Sequence, residues 1–285
     1  MLPPSFHEVI FMLAEEILDR LQILPIDSLK IHEQTLPGNE RNLRENMLNL
    51  GRIVDPIIVD QKHKVVLDGN HRRAVLASLK TEYAVCQVVD YDSPEIQIGG
   101  WYLATKTLPL SRLGKGESVD YKTGQSALEK MDAAFMLVSR QGKKDLCTLF
   151  PSSAPKLNSL IEDQRRMVDT LRGKKAEEEN GNGPDADLQI IEDSRMDYFL
   201  DRGYSVLARR NFKKSEVITE ASAGRPLPPK STRHTIPNRI IRLNFHLGYL
   251  NESPETAWRV LSEMVHKRVR YGSARYYTES VIVLY

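Results

Sequence analysis

The tightest constraint in this chain is a strand that runs straight into a helix. In VVLDGNHRRAVLASL (65–79), a hydrophobic strand reaches Asp68-Gly69 and a helix is predicted at once, from about Asn70 to Lys80. Ala74, Val75, Leu76 and Leu79 supply its buried side. The start of such a helix carries free backbone N–H groups and a partial positive charge, which favour a phosphate. Gly69 removes the side chain that would block an anion's approach, and His71 and Arg72 add donors at the same mouth. Asp68 adds a carboxylate suited to a metal ion or a hydroxyl. The plainer reading stands beside this one: Asp68 caps a helix and the two basic residues are solvated.

Around this junction the first hundred residues alternate short strands and helices, as a compact mixed unit does. An amphipathic helix is expected over 5–21, with Phe6, Val9, Ile10, Leu13, Ile17 and Leu21 on its apolar face. LQILPIDSLK reads as a strand broken by Pro25. Residues 39–50 form a second helix with Leu43, Met47 and Leu50 on one face, and Gly51 stands where a left-handed cap belongs. IIVD (57–60) and KVVLD (64–68) make a hairpin around QKHK, and AVCQVVDY (84–91) returns to strand.

Beyond Trp101 the pattern changes. Residues 126–140 fit a helix, or a helix followed by a strand, and 155–172 fit a helix. RGKKAEEENGNGPDAD (172–187) is polar and charge-blocked, the pattern of a mobile surface loop. A strand pair is expected over 188–210 and a helix over 212–224. The four prolines of 225–239 exclude continuous regular structure. IIRLNFHL (240–247) reads as a strand, 254–270 as a helix and YYTESVIVLY as a closing strand. No internal repeat is present.

Composition excludes several classes. Of the 285 residues, 41% are hydrophobic and 27% charged, which rules out wholesale disorder. No apolar run is long enough to span a bilayer, and the acidic N-terminal stretch does not read as a signal peptide. A net charge of +2 is too balanced to argue for a nucleic-acid coat protein, while leaving a local basic patch open. Cys86 and Cys147 are too few for a disulfide scaffold or a four-cysteine zinc site. Both read as packing, and a reducing, cytoplasmic setting is expected.

Two further segments carry candidate chemistry. Glu33, in IHEQT, is a loop carboxylate that could accept a hydroxyl proton if it lay near the phosphate mouth; alone it is an ordinary surface glutamate. PPKSTRHTIPNR (228–239) gathers Lys230, Ser231, Thr232, Arg233 and His234 in a proline-flanked loop. Such a cluster suits a small zwitterion or a phosphate, and equally a plain solvated basic loop.

Together these pieces resemble a known family, the free serine kinases of the ParB/sulfiredoxin fold, in both the archaeal ADP-dependent branch and the bacterial siderophore-pathway branch. HEQ at 32–34 looks like the His-Glu that carries the family's catalytic glutamate, and LDGNHR at 67–72 is similar to its D-G-x-H-R phosphate motif. VDYDSPEIQIGGWY (89–102) and PPKSTRHTIP (228–237) match its Asp-Tyr, tryptophan and P-K-T-T-R-H elements in order. RYYTESVIV (275–283) is similar to the bacterial branch, without an assigned role. Asn70 replaces the first histidine of the archaeal D-G-H-H-R, and Ser231 replaces a threonine while keeping its hydroxyl.

The resemblance implies an α+β fold. A ParB/sulfiredoxin-like nucleotide domain (1–105) would pack against a smaller α/β substrate domain (106–285), with the active site in the cleft between them. It implies phosphoryl transfer from ATP or ADP, with Mg²⁺, to the hydroxyl of free L-serine. Asp68, Gly69, Asn70, His71 and Arg72 would hold the phosphate, Asp68 would also serve the metal or orient the hydroxyl, and Glu33 would be the base. Trp101, Ser231, Thr232, Arg233 and His234 would bind serine. A ParB-like nucleotide-dependent DNA-binding or regulatory protein is the alternative, disfavoured by the balanced charge and the lack of a helix-turn-helix pattern. A sulfiredoxin-type reductase would need a cysteine where Asn70 stands. The sequence leaves the oligomeric state open.

Overall fold

The computed structural model describes residues 6–106, 113–172 and 188–277. In chain order, helix α1 (Phe6–Leu18) leads into β1 (Leu21–Pro25), a 3₁₀ turn and β2 (Lys30–Ile31). Helix α2 (Pro37–Leu50) follows, with a proline in its first turn and Gly51 closing it at φ 63°. Then come β3 (Arg52–Ile53), the hairpin β4 (Ile57–Asp60) and β5 (Val65–Asp68), α3 (Asn70–Ser78) and β6 (Tyr83–Val89). These form a five-stranded sheet in the order β1-β6-β4-β5-β2, with β4 wholly buried at its centre.

The second half begins with β7 (Gln97–Gly99) and β8 (Trp101–Thr105), then β9 (Glu117–Val119), α4 (Tyr121–Glu129), β10 (Ala133–Gln141), β11 (Lys144–Pro151) and α5 (Leu157–Arg172). It continues through β12 (Gln189–Glu192), α6 (Met196–Leu200), β13 (Ser205–Ala208), α7 (Lys214–Ser222), β14 (Arg233–Thr235), β15 (Phe245–His246) and α8 (Pro254–Arg270). Six of these strands form an antiparallel sheet ordered β12-β8-β13-β10-β11-β9.

Both sheets are covered on both faces. On the first, Ile57, Val59 and Val66 pack under α1 and α8 with Ala14, Leu261 and Val265, so the chain's last helix closes the core begun by its first. The opposite face presents Ile58, Val65 and Leu67 to α7 and to Ile161 of α5. In the second sheet the two-residue period of β10 sends Met136 and Val138 to one side and Phe135 and Leu137 to the other. Helix α8 starts from Ser253, whose hydroxyl accepts the Thr256 N–H, and ends on Lys267, Arg268 and Arg270 against the negative pole.

Four sequence expectations are corrected or sharpened. Residues 188–210 are not a strand pair: α6 intervenes, and β12 and β13 each pair with β8 instead of each other. The strand expected over 240–247 shrinks to Phe245–His246, because Arg242 and Asn244 adopt φ of 55° and 51°, which breaks an extended backbone. Residues 126–140 resolve into the end of α4 followed by β10. Leu50, the last residue of α2, is exposed while Met47, one turn earlier, is buried. Tyr276 and Tyr277 are irregular, and the rest of the expected closing strand lies outside the described residues, as does the loop expected over 173–187.

Candidate active site

A cavity of about 980 Å³ opens where β5 hands over to α3. Gly69 holds φ 97° there, a conformation that disfavours any side chain, and α3 begins with no side-chain cap. Its first internal bond runs from the Arg73 N–H to the Gly69 carbonyl, so earlier N–H groups of the turn stay free of helix partners. Arg72 folds back over the glycine: a Cβ at position 69 would stand 2.8 Å from its Nε and Nη2. The Arg72 guanidinium lies between Asp68 (3.3 Å) and Asp55 (3.6 Å), and Arg239 pairs with Asp68 from the opposite wall. Burial presses the Asp68 carboxyl upward, but Arg72 and Arg239 together outweigh it and hold it below the usual range. His71 Nε2 accepts the Leu36 N–H at 3.1 Å, so that nitrogen is unprotonated. Burial keeps the imidazole neutral by lowering its pKa, against the pull of Glu40 and with help from the charge of Lys230.

The facing wall is built on Glu33. Its Oε1 accepts the N–H groups of Ser231 (3.0 Å) and Thr232 (2.6 Å) and the Thr232 hydroxyl (2.7 Å). Among the described residues Oε2 accepts only the Lys230 N–H, at 3.1 Å, and keeps room for one more donor. The segment is stitched in place by reciprocal backbone bonds, Leu227 N–H to the His32 carbonyl and Gln34 N–H to the Leu227 carbonyl. His32, next in the chain, is buried; its Nδ1 meets the Val66 carbonyl and its Nε2 lies 2.8 Å from the Thr232 hydroxyl. Asn70 completes the lock: its Oδ1 accepts the His32 N–H (3.3 Å) and its amide lies 3.1 Å from Nδ1. The loop carboxylate and the helix start are therefore held face to face by the neighbours of each, His32 and Asn70.

The 229–236 segment closes a third side. The Trp101 indole N–H donates to the Thr232 carbonyl at 2.8 Å. Arg209 donates to the Trp101 carbonyl at 3.1 Å and also to the Lys230 carbonyl. His234 is pinned by Tyr91, whose hydroxyl lies 2.7 Å from Nε2, and burial depresses its pKa to about 3, so it is neutral. Arg233 turns its guanidinium to Glu192 at 3.1 Å and to the Thr235 hydroxyl at 3.1 Å. Ser231 is buried with its hydroxyl unpartnered. Away from these polar walls the cavity extends along α2 and β3, past Leu43, Met47, Ile53 and Val54 with the amides Asn46 and Asn49.

The structure thus gathers Glu33, Asp68, Gly69, Asn70, His71, Arg72, Trp101, Thr232, Arg233 and His234 around one cavity, while Ser231 lies just behind its wall. Sequence reasoning overlooked Asp55, Arg239 and Arg209. Each acts across more than a hundred residues or outside any recognisable pattern, so no local signal marks it. Tyr91 and His32 were within quoted motifs, and only the fold reveals what they hold. Among the described residues, no group of three or more His, Cys, Asp or Glu side chains stands close enough to form a metal site by itself.

Comparison with known proteins adds to this geometry. No family model matches the chain. It is 25% identical over 231 residues to an ATP-dependent L-serine kinase of Staphylothermus marinus, covering 75% of this chain and 85% of the relative. It is 25% identical over 228 residues to the ADP-dependent L-serine kinase SerK of Thermococcus kodakarensis, covering 75% and 86%. Among solved structures, a free serine kinase with a glutamate replaced by alanine, in complex with AMP, superposes with a TM-score of 0.64 at 20% identity, covering 81% of this chain and 93% of that one. C-terminally truncated SbnI from Staphylococcus aureus gives 0.60 at 16% identity, covering 89% and 99%. In sequence and in fold, the chain resembles the free L-serine kinases.

Proposed function

We propose that this chain transfers a phosphoryl group from ATP or ADP to the hydroxyl of free L-serine, giving O-phospho-L-serine. The observation that carries this reading is the His32–Asn70 lock, which fixes a carboxylate opposite an uncapped helix start in one cavity. Phosphoryl transfer asks mainly for positioning and charge neutralisation, and both walls supply them.

On this reading the free N–H groups of α3, with Arg72 and Arg239, bind the donor's phosphates, and the apolar extension along α2 and β3 takes its nucleoside. Mg²⁺ commonly binds through one or two carboxylates with phosphate oxygens and water. Asp68, with Asp55 behind it, fits that pattern, and the ion supplies charge neutralisation when bound. Glu33 takes the serine hydroxyl proton at Oε2, the oxygen with spare capacity. Trp101 walls the acceptor's end. The unit built on the first sheet is the nucleotide side, in the manner of a ParB/sulfiredoxin-like domain. Trp101 and the 229–236 segment belong to the substrate side, so that the cleft between them excludes the water that would compete with serine. Two free, buried cysteines accord with a reducing, cytoplasmic setting.

The test is incubation of purified protein with L-serine, Mg²⁺ and either ATP or ADP. Phosphoserine should form with at least one donor. Nucleotide turnover that ignores serine would overturn the reading.

A further inference from the structure

The hydrogen bonds behind Glu33 ask for one proton more than they hold. His32 is buried, and its Nδ1 meets the Val66 carbonyl. A carbonyl only accepts, so Nδ1 carries the ring proton. The Asn70 amide, 3.1 Å from the same nitrogen, is a second donor and makes no bond to it in this tautomer. Burial lowers the His32 pKa against the pull of Glu33, the Val66 carbonyl and Asp68, so the ring is neutral and Nε2 is bare. That bare nitrogen lies 2.8 Å from the Thr232 hydroxyl.

The same hydroxyl lies 2.7 Å from Glu33 Oε1. Oε1 and Nε2 are 3.9 Å apart, and Thr232 serves both with one proton to give. The two acceptors differ in what they have left. Oε1 keeps the N–H groups of Ser231 and Thr232 whichever way the hydroxyl turns, whereas Nε2 has no other donor among the described residues. While Glu33 is charged it holds the hydroxyl, because a bond to an ionised acceptor is the stronger. Once Glu33 is neutral, the advantage passes to Nε2.

Building on the serine-kinase reading, we infer that His32 is a positioning residue for the base: its bare Nε2 receives the Thr232 hydroxyl as Glu33 receives the serine proton. The serine O–H bond breaks and its proton goes to Glu33 Oε2. The Thr232 O–H bond stays whole and turns about Cβ–Oγ from Oε1 to Nε2. A nitrogen unsatisfied before proton transfer and satisfied after it stabilises the later state selectively, which makes Glu33 the better base. The charged and titratable groups that face this pair are Asp68, His71 and Arg72 from the β5–α3 junction and Lys230, His234 and Arg239 from the 229–239 segment. Behind them stand Glu40 of α2 and Glu220 of α7, the latter on Arg225. All of these stay the same in every variant of the test, so a difference between pH profiles reads the His32–Thr232 pair.

The experiment follows phosphoserine formation from L-serine, Mg²⁺ and ATP or ADP across a pH series. It compares wild-type chain, His32→Phe, Thr232→Val, Thr232→Ser and the double variant His32→Phe/Thr232→Val. His32→Phe should lower kcat about tenfold with KM for L-serine within about threefold, the size of one hydrogen bond made late. The acid limb of its kcat profile should move to lower pH by about one unit, because the hydroxyl then stays on Glu33. Thr232→Val should move that limb to higher pH, since the donor is gone, and in that background His32→Phe should not move it further. Thr232→Ser, which keeps the hydroxyl, should track the wild type. Nitrogen-15 spectra of the wild-type imidazoles, with His32 assigned by its response to Thr232→Val, should show Nδ1 protonated and Nε2 bare at about pH 7.5. Equal His32→Phe effects with and without the Thr232 hydroxyl, acid limbs that move the same way in both single variants, or a His32 protonated on Nε2 would each overturn the inference. If His32→Phe does not fold, the spectrum and the Thr232→Val limb decide it. A wild-type chain that makes no phosphoserine overturns the kinase reading along with this one. An active wild type whose acid limb ignores His32→Phe overturns this inference alone.

Discussion

Two arginine clusters lie at opposite ends of the functional scale. On the second sheet, Arg140 binds Asp145 through Nε and Nη2 (2.7 and 3.0 Å), Asp201 at 2.7 Å and Asp197 at 2.9 Å. One cation meets three acids there, at the protein surface, and all three nitrogens of the fork are engaged. In the cavity, Arg72 and Arg239 share Asp68 across a strained glycine, and Lys230 is left with an aromatic ring. The first cluster is complete without a ligand. Among the described residues the second is incomplete in a specific way: an uncapped helix start and a carboxylate oxygen with a free lone pair face the same space. Unfinished polar geometry inside a cavity, more than charge density, marks the site.

The contrast can be broken most strongly at Glu33. Glu33→Gln should lower phosphoserine formation from L-serine, Mg²⁺ and ATP or ADP by about 10²–10⁴-fold, the range for losing a general base. Normal turnover would leave Glu33 as the clamp of the 230–232 loop and nothing more. Gly69→Ala comes next. A side chain at φ 97°, pressed against Arg72, should cost about 1–3 kcal/mol in urea unfolding and weaken ADP binding measured by calorimetry. A stable variant with unchanged affinity would mean the α3 start does not approach a phosphate.

A pH series sharpens the same comparison. His234 is neutral in the fold with a pKa of about 3, whereas in the unfolded chain it takes up a proton near pH 6.5. Between those values the unfolded state binds more protons, so stability falls as pH drops from 6.5 toward 3. The lowered pKa values of His32 and His71 act in the same direction from the same upper limit, and that of Asp68 adds to the loss below its ordinary 3.8. Urea midpoints at pH 7.5, 6.0 and 4.5 should decline in that order, and His234→Gln should flatten the decline. A flat wild-type profile would contradict the buried neutral imidazoles. The smallest effect belongs to the surface cluster: Arg140→Gln should shift stability by no more than about 1 kcal/mol and leave phosphoserine formation untouched.

What the sequence revealed follows from where the information is local. The β5–α3 junction was legible because strand, Asp68-Gly69 and helix are contiguous, and Gly51 and Ser253-Pro254 marked helix ends for the same reason. The strand expected over 240–247 failed because its hydrophobic pattern could not announce the left-handed residues Arg242 and Asn244. Short α6 escaped because five residues, MDYFL, hold too little of a helical period. In the site, the motif residues were visible, but their engagements were not. Arg233 reads as a free cation until Glu192, forty-one positions earlier, is folded beside it.

The most direct measurement is a crystal structure of the protein with ADP and L-serine. The terminal phosphate should sit on the N–H groups following Gly69, beside Arg72, with the serine hydroxyl turned to Glu33 Oε2. A nucleotide seated away from that helix start, or a serine whose hydroxyl faces elsewhere, would contradict it.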